Sequence, residues 1–185
     1  MTRYFLLLPL LLLLACGDDD DPVIPNEEEV ITDLVYVLNS TDNSGGVTLT
    51  FSDPDGDGAQ PATIVVSDSL APNKTYVGLL SVSNRSNPAD PEDITGEIEE
   101  EGDEHQFFFV VEGGLDASVE YADADVNGNP LGLLTEVTTG SASDGMLRIV
   151  LRHEPDKAAG ATIDDPSAAG GETDIEVTFP VSIGN

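Results

Sequence analysis

From Thr173 to Ile183 the chain reads T-D-I-E-V-T-F-P-V-S-I. Successive side chains of a strand point to opposite faces, so Ile175, Val177, Phe179, Val181 and Ile183 share one face, with polar residues and Pro180 on the other. A strand with one apolar face has to bury it against another layer. Proline cannot donate to a ladder, which places this strand at a sheet edge. The same alternation, or a short β-branched run, recurs at 31–38, 47–52, 62–68, 75–83, 105–112, 117–123, 133–139 and 145–153. Only D-I-T-G-E-I-E-E-E (93–101) departs from it: Ile94 and Ile98 lie four apart behind Asp93, a capping residue, which predicts a short helix. Eight or nine strands divided by Gly, Asn and Asp turns predict an all-β fold. The expected form is an antiparallel β-sandwich of Ig-like or Greek-key type, carrying that one helix.

The start of the chain follows different rules. Arg3 precedes an almost unbroken leucine run over residues 4–14. This is shorter than the ~20 residues of a membrane span and reads as a secretion signal. It ends in Leu13-Leu14-Ala15-Cys16, with the only cysteine of the chain. That ending resembles the bacterial lipoprotein signal, which implies a signal peptide over 1–15 and a lipid on Cys16. Each buried CH₂ of an acyl chain contributes about 0.8 kcal/mol, so two or three chains hold a protein on a bilayer. With Cys16 acylated, no thiol remains for a disulfide, a redox couple or a nucleophile. Gly17 to Asp21, G-D-D-D-D, resembles the surface-export signal of Bacteroidota lipoproteins, and it also reads as a solvated spacer. Residues 16–29 cannot build a core. The expected organisation is therefore a lipidated acidic tether over 16–29 and one β-sandwich domain over 30–185. The expected location is the outer membrane at the cell surface, with its periplasmic face as the alternative.

Charge limits the partners. Six Lys and Arg stand against 36 Asp and Glu, a formal charge of −30. No basic stripe exists to displace counterions, which excludes nucleic acid as a partner. An anionic membrane surface is repelled, and divalent cations become the natural small partners. The absence of tryptophan argues against a sugar-stacking platform.

Two constellations carry chemistry. F-S-D-P-D-G-D-G (51–58) and Y-A-D-A-D-V-N-G (121–128) share D-x-D-x-[DN]-G, so Asp53, Asp55 and Asp57, and Asp123, Asp125 and Asn127, are candidate calcium ligands. The twelfth position of a complete calcium loop would fall on Ile64 or Leu134, neither of which can ligate. These are at best half-sites, and Asp, Asn and Gly are also the ordinary turn residues. The second constellation is the two histidines, in E-G-D-E-H (101–105) and R-H-E-P (152–155). Each reversal of an antiparallel sandwich alternates ends, which brings the start of strand 105–112 and the finish of strand 145–153 to one rim. With 93–101 helical, the segments 53–58, 92–105, 123–129, 153–157 and 163–174 join it. His105, His153, Glu104 and Glu154 are the candidate ligands for zinc, or for copper(II) or nickel. An exposed imidazole at a strand end is the plainer account of each histidine. Arg148 and Arg152 are expected to pair with acids such as Glu176, and Lys157 to cap the acidic rim.

No strand–turn–helix elbow presents a nucleophile and no glycine loop opens a helix to cradle phosphate, so no enzyme is expected. Taken together, E-E-E-V-I-T, D-x-D-G-D-G, E-E-E-G-D-E-H-Q-F-F-F, Y-x-D-A-D-x-N-G-N-P-L-G-L, L-R-H-E-P-D-K and G-G-E-T-D-I-E-V-T-F resemble an uncharacterised family of acidic Bacteroidota lipoproteins. Its members carry the label "type 1 periplasmic binding fold superfamily protein". The label implies two α/β lobes, whereas this chain is about half the length such lobes need and has no alternating helices. The resemblance implies a surface lipoprotein that takes a divalent metal or metal complex and, by analogy, serves a TonB-dependent outer-membrane transporter. The alternative is a structural or adhesive surface module whose acidic loops calcium rigidifies.

Overall fold

The structure, a computed structural model, describes residues 29–56 and 60–184. The leader, Cys16, the spacer up to residue 28, and Asp57 lie outside the described residues. Among the described residues there are nine strands: β1 (Asp33–Ser40), β2 (Gly46–Ser52), β3 (Thr63–Val66), β4 (Thr75–Ser83), β5 (His105–Glu112), β6 (Ala117–Tyr121), β7 (Leu134–Thr139), β8 (Ser143–His153) and β9 (Glu172–Ile183). One helix, α1 (Ile94–Glu100), joins β4 to β5. The strands form a six-stranded sheet in the order β3-β2-β1-β4-β7-β6 and a three-stranded sheet in the order β5-β8-β9. All paired neighbours are antiparallel. The run β3-β2-β1-β4 is a Greek key, in which the fourth strand returns to lie beside the first.

The period-two pattern builds this sandwich directly. Leu34, Tyr36 and Leu38 of β1 meet Phe107 and Phe109 of β5, Ile149 and Leu151 of β8, and Val177 and Phe179 of β9 in one core. Tyr36 stacks on Phe109 at 5.4 Å, and its hydroxyl shares a 2.7 Å hydrogen bond with Thr135. That phenol is fully buried, and burial holds its ionisation far above the usual range. Gly78 is what lets β4 pass so close, since a Cβ there would collide with Tyr36 and Thr135. β9 lies at the edge of its sheet, with Pro180 opposite Met146, as the proline predicts.

β5 does not alternate, and the reason lies on its other face. Phe108 and Val150 pack under Ala169 and Ala161 of the segment that follows β8, so the F-F-F run is buried from both sides. The free edge of β5 is covered as well, with Phe107 N donating to Leu131 O and Phe109 N to Ile163 O. α1 docks on β4 through Thr95, whose hydroxyl accepts from Val82 N and donates to Val82 O. Asp93 stands at the N-cap but makes no side-chain cap bond. Ile94 and Ile98 point into the core. The starts of β1, β3, β5, β7 and β9 and the finishes of β2, β4, β6 and β8 consequently share one end of the sandwich.

Candidate metal centre

The register of β5 on β8 sets His105 directly opposite His153. Both belong to the core-facing stripes, 105-107-109 on β5 and 147-149-151-153 on β8, so the imidazoles extend the core rather than the solvent rim. His105 is 0% and His153 5% exposed, with ring centroids 4.7 Å apart. His105 Nδ1 lies 3.1 Å from the carbonyl oxygen of Glu101, just past the end of α1. A carbonyl only accepts, so Nδ1 carries a proton and leaves Nε2 as the ring nitrogen that faces inward.

Two carboxylates face that nitrogen. Glu29 Oε1 lies 3.1 Å from His105 Nε2, and Glu29 Oε2 lies 3.4 Å from His153 Nδ1. Asp174 Oδ2 lies 4.0 Å from His105 Nε2, and Asp174 Oδ1 lies 3.5 Å from His153 Nδ1. The Asp174 side chain is wholly buried and that of Glu29 nearly so. Strict alternation from Ile175 would put Asp174 on the solvent face beside Glu176. A bulge prevents this: Leu151 pairs with Ile175 and Arg152 with Thr173, leaving Asp174 as the extra residue. Bulges re-aim side chains, and this one turns a carboxylate toward the histidines.

Ligand atoms of all four residues lie within 4.8 Å of one another. Donors around a tetrahedral ion with bonds of about 2.0–2.2 Å stand about 3.4 Å apart. The four imidazole–carboxylate separations, 3.1 to 4.0 Å, bracket that value. Glu29 Oε2, His105 Nε2 and both oxygens of Asp174 are buried with no hydrogen bond. Lone pairs crowded in this way are costly unless a cation sits among them. Two ionised carboxylates carry a charge that one divalent ion balances. Burial, and then the negative charge of Glu29, pushes the Asp174 carboxyl up to about 6, with both histidines opposing the shift. A buried group of two histidines, a glutamate and an aspartate thus has the composition and spacing to hold a metal ion.

The structure brings His105 and His153 together but gives Glu104 and Glu154 a different place. Both glutamates are exposed, and with His153 they form a second group, on the solvent side of the buried four, whose ligand atoms lie within 4.8 Å and could hold a metal ion. Glu154 N donates to Glu104 O at 2.7 Å, which holds the two side by side. Below them Gly171, at φ +67°, leaves room for the backbone carbonyl of His153, which a Cβ would strike.

The chain itself occupies the second aspartate turn, whereas in the first Asp55 Oδ1 is buried without a hydrogen bond. Asp123 accepts from the backbone of Gly132 and Leu134, both at 2.7 Å. Asp125 accepts from Asn127 N and Asn129 N and pairs with Lys157 Nζ at 2.9 Å. The same ammonium donates to the carbonyls of Gly102 and Pro130. Burial pushes the Asp125 carboxyl up, but Lys157 and the two backbone donors outweigh it and hold the acid below its ordinary range. The cation at this turn is therefore a lysine. Asn127 contributes its backbone N–H there. In the other turn Asp53 N donates to Thr32 O and Gly56 N to Asp53 O, with Asp55 half-buried alongside. Arg148 pairs with Glu112 and Glu176, and Arg152 donates to Thr173 Oγ1.

A hollow of about 450 Å³ lies elsewhere, on the outer face of the large sheet between Asp33, Ser81, Arg85 and Glu92. None of its lining residues is a buried group without a hydrogen bond, in contrast to the histidine centre. No helix among the described residues is long and apolar enough to cross a membrane. Compared with protein-family models, curated proteins and solved structures, the chain matches none.

Proposed function

We propose that this protein captures a divalent transition metal, zinc first, with Glu29, His105, His153 and Asp174 as ligands. The observation that carries the reading is the inward-facing His105 Nε2, buried and without a hydrogen bond. The Glu101 carbonyl orients the ring through Nδ1, and Nε2 meets buried carboxylates with which it makes no hydrogen bond. A backbone carbonyl that accepts from the other ring nitrogen and so orients a ligating imidazole is the usual support of a metal-bound histidine. Two imidazoles and two carboxylates suit zinc, with copper(II) and nickel as the other first-row ions that favour nitrogen donors. Four protein donors fill a tetrahedral ion and leave no open position, which favours holding a metal over catalysis with it.

In this reading the L-L-A-C leader delivers a lipoprotein anchored at Cys16 in the outer membrane. The acidic run after it favours the cell surface, and the bound metal or metal complex is cargo for a TonB-dependent transporter. A second reading has its own support. The centre is closed, as structural zinc sites are, which suits a surface module whose sandwich a resident ion staples.

The test is a calorimetric zinc titration of the purified, chelator-stripped protein beside His105→Ala/His153→Ala, with circular dichroism to confirm folding. Stoichiometric zinc binding lost in the folded double variant supports the centre. A folded wild type that takes up no zinc removes it. A bound ion that exchanges within seconds fits cargo, whereas an ion whose removal unfolds the protein fits the staple.

A further inference from the structure

Resting on that reading, the geometry points to an asymmetry among the four ligands: we propose that Glu29 is the exchangeable one. Metal enters and leaves at its position, and loading clamps residues 29–31 onto the sandwich. His105, His153 and Asp174 stand on β5, β8 and β9, three neighbours in one hydrogen-bonded sheet. Their backbones cannot withdraw without breaking that sheet. Glu29 belongs to no element, lying four residues before β1.

The first backbone hydrogen bonds that hold this stretch are at Thr32, which donates to Ser83 O and accepts from Asp53 N. Thr32 is further fixed by its hydroxyl, which accepts from Arg85 N. Residues 29–31 precede that anchor, with Ile31 buried and Val30 half-exposed. What Glu29 adds to the fold is its carboxylate, which faces both histidines. With the metal bound, that carboxylate is a ligand and the segment is tied to all three strands. With the metal absent, it faces the buried carboxylate of Asp174 with no divalent ion between the two, which rewards its departure. A swing about the Thr32 anchor moves one side chain and opens the centre, whereas no comparable motion exists for the other three. In the lipoprotein reading this clamp lies where the membrane tether meets the sandwich.

Two measurements on the purified protein test this. The first is zinc binding and chelator-driven zinc release in wild type, Glu29→Ala and Asp174→Ala. The second is hydrogen exchange at the amides of residues 30 and 31, with and without zinc. The expected result is 1:1 zinc in wild type, with zinc slowing exchange at those amides. Glu29→Ala then keeps 1:1 binding but releases zinc about tenfold faster or more, since weakened affinity appears mainly in the off-rate. Asp174→Ala, folded by circular dichroism, loses stoichiometric binding. Unchanged release from Glu29→Ala, together with zinc-insensitive exchange at 30 and 31, overturns the gate while leaving the metal centre standing. Complete loss of zinc from a folded Glu29→Ala also overturns it, making Glu29 a fixed ligand like the rest. A wild type that binds no zinc sinks the functional reading itself.

Discussion

Asp174 carries opposite consequences for the empty and the loaded protein. Its carboxyl is pushed up to about 6 in the fold, against an ordinary value near 4. Below about pH 4 both folded and unfolded chains hold the proton. As pH rises, the unfolded chain releases it first, so this residue's stabilising contribution is lost between about 4 and 6. In chelator, the urea midpoint of wild type is expected to fall across that window relative to Asp174→Asn. Parallel curves for the two proteins would refute the assignment. Zinc affinity runs the other way, because a ligating carboxylate and imidazole must first shed their protons. Calorimetry should show binding strengthening from about pH 5 to 7. Lys157 poses a separate question at the same scale. Its ammonium fills the turn where the sequence suggests a calcium half-site. Lys157→Met leaves the Asp125 carboxylate buried without its partner, at a cost of about 1–3 kcal/mol in urea denaturation. Zinc stoichiometry should not change. Full rescue of the variant by calcium would return that turn to the list of cation sites.

The bulge on β9 makes a sharper prediction than any single side chain. Deleting Asp174 leaves Ile175 opposite Leu151, Thr173 opposite Arg152 and Glu172 opposite His153, the pairs already present, in a ladder without interruption. The deletion variant should therefore fold, and in chelator at pH 7 its urea midpoint should equal or exceed that of wild type, because a buried acid has gone. Its zinc binding should collapse. A deletion variant that fails to fold would mean that the bulge serves the sheet rather than the centre. The same element shows where the sequence stops being readable. Alternation from Ile175 to Ile183 is explicit, and it fixed nearly every strand boundary to within a few residues. The opposition of His105 and His153 follows from counting antiparallel reversals. Asp174 does not follow, because period two assigns it to the polar face with Glu176 and nothing in T-D-I-E announces an extra residue. Glu29 is hidden for another reason. It is one acid in a tract whose composition reads as tether, and only the packing of Ile31 and Thr32 brings it back to the sandwich. Glu104 and Glu154, the sequence neighbours of the histidines, lie just outside β5 and β8, where they are exposed and stand with His153 as a second group of ligand atoms within 4.8 Å.

At the scale of the whole molecule, antiparallel parity concentrates charge. The turn from Asp53 to Gly56, the stretch from Glu92 to Glu104, the Asp123–Asn127 turn, and the loops at 153–157 and 163–174 all emerge from the end that holds the buried centre. A chain of net charge −30 pays for that arrangement in self-repulsion, which salt screens. Between 0.01 M and 1 M sodium chloride the Debye length falls from about 30 Å to about 3 Å. The melting temperature of the metal-free protein is therefore expected to rise with salt. A flat response would show that its own lysine, arginine and backbone donors already relieve the rim. Zinc adds a different kind of term. At a free concentration about a thousandfold above its dissociation constant, it stabilises by about 4 kcal/mol. For a domain of this size that is about 8–16 °C. The ligands are buried, so high salt should trim the affinity through loss of the long-range attraction while leaving the 1:1 stoichiometry and most of the stabilisation intact. If 1 M salt abolishes the zinc effect, the ion is held by the exposed carboxylates of the rim. The two histidines would then be core residues whose lone pairs protons alone satisfy.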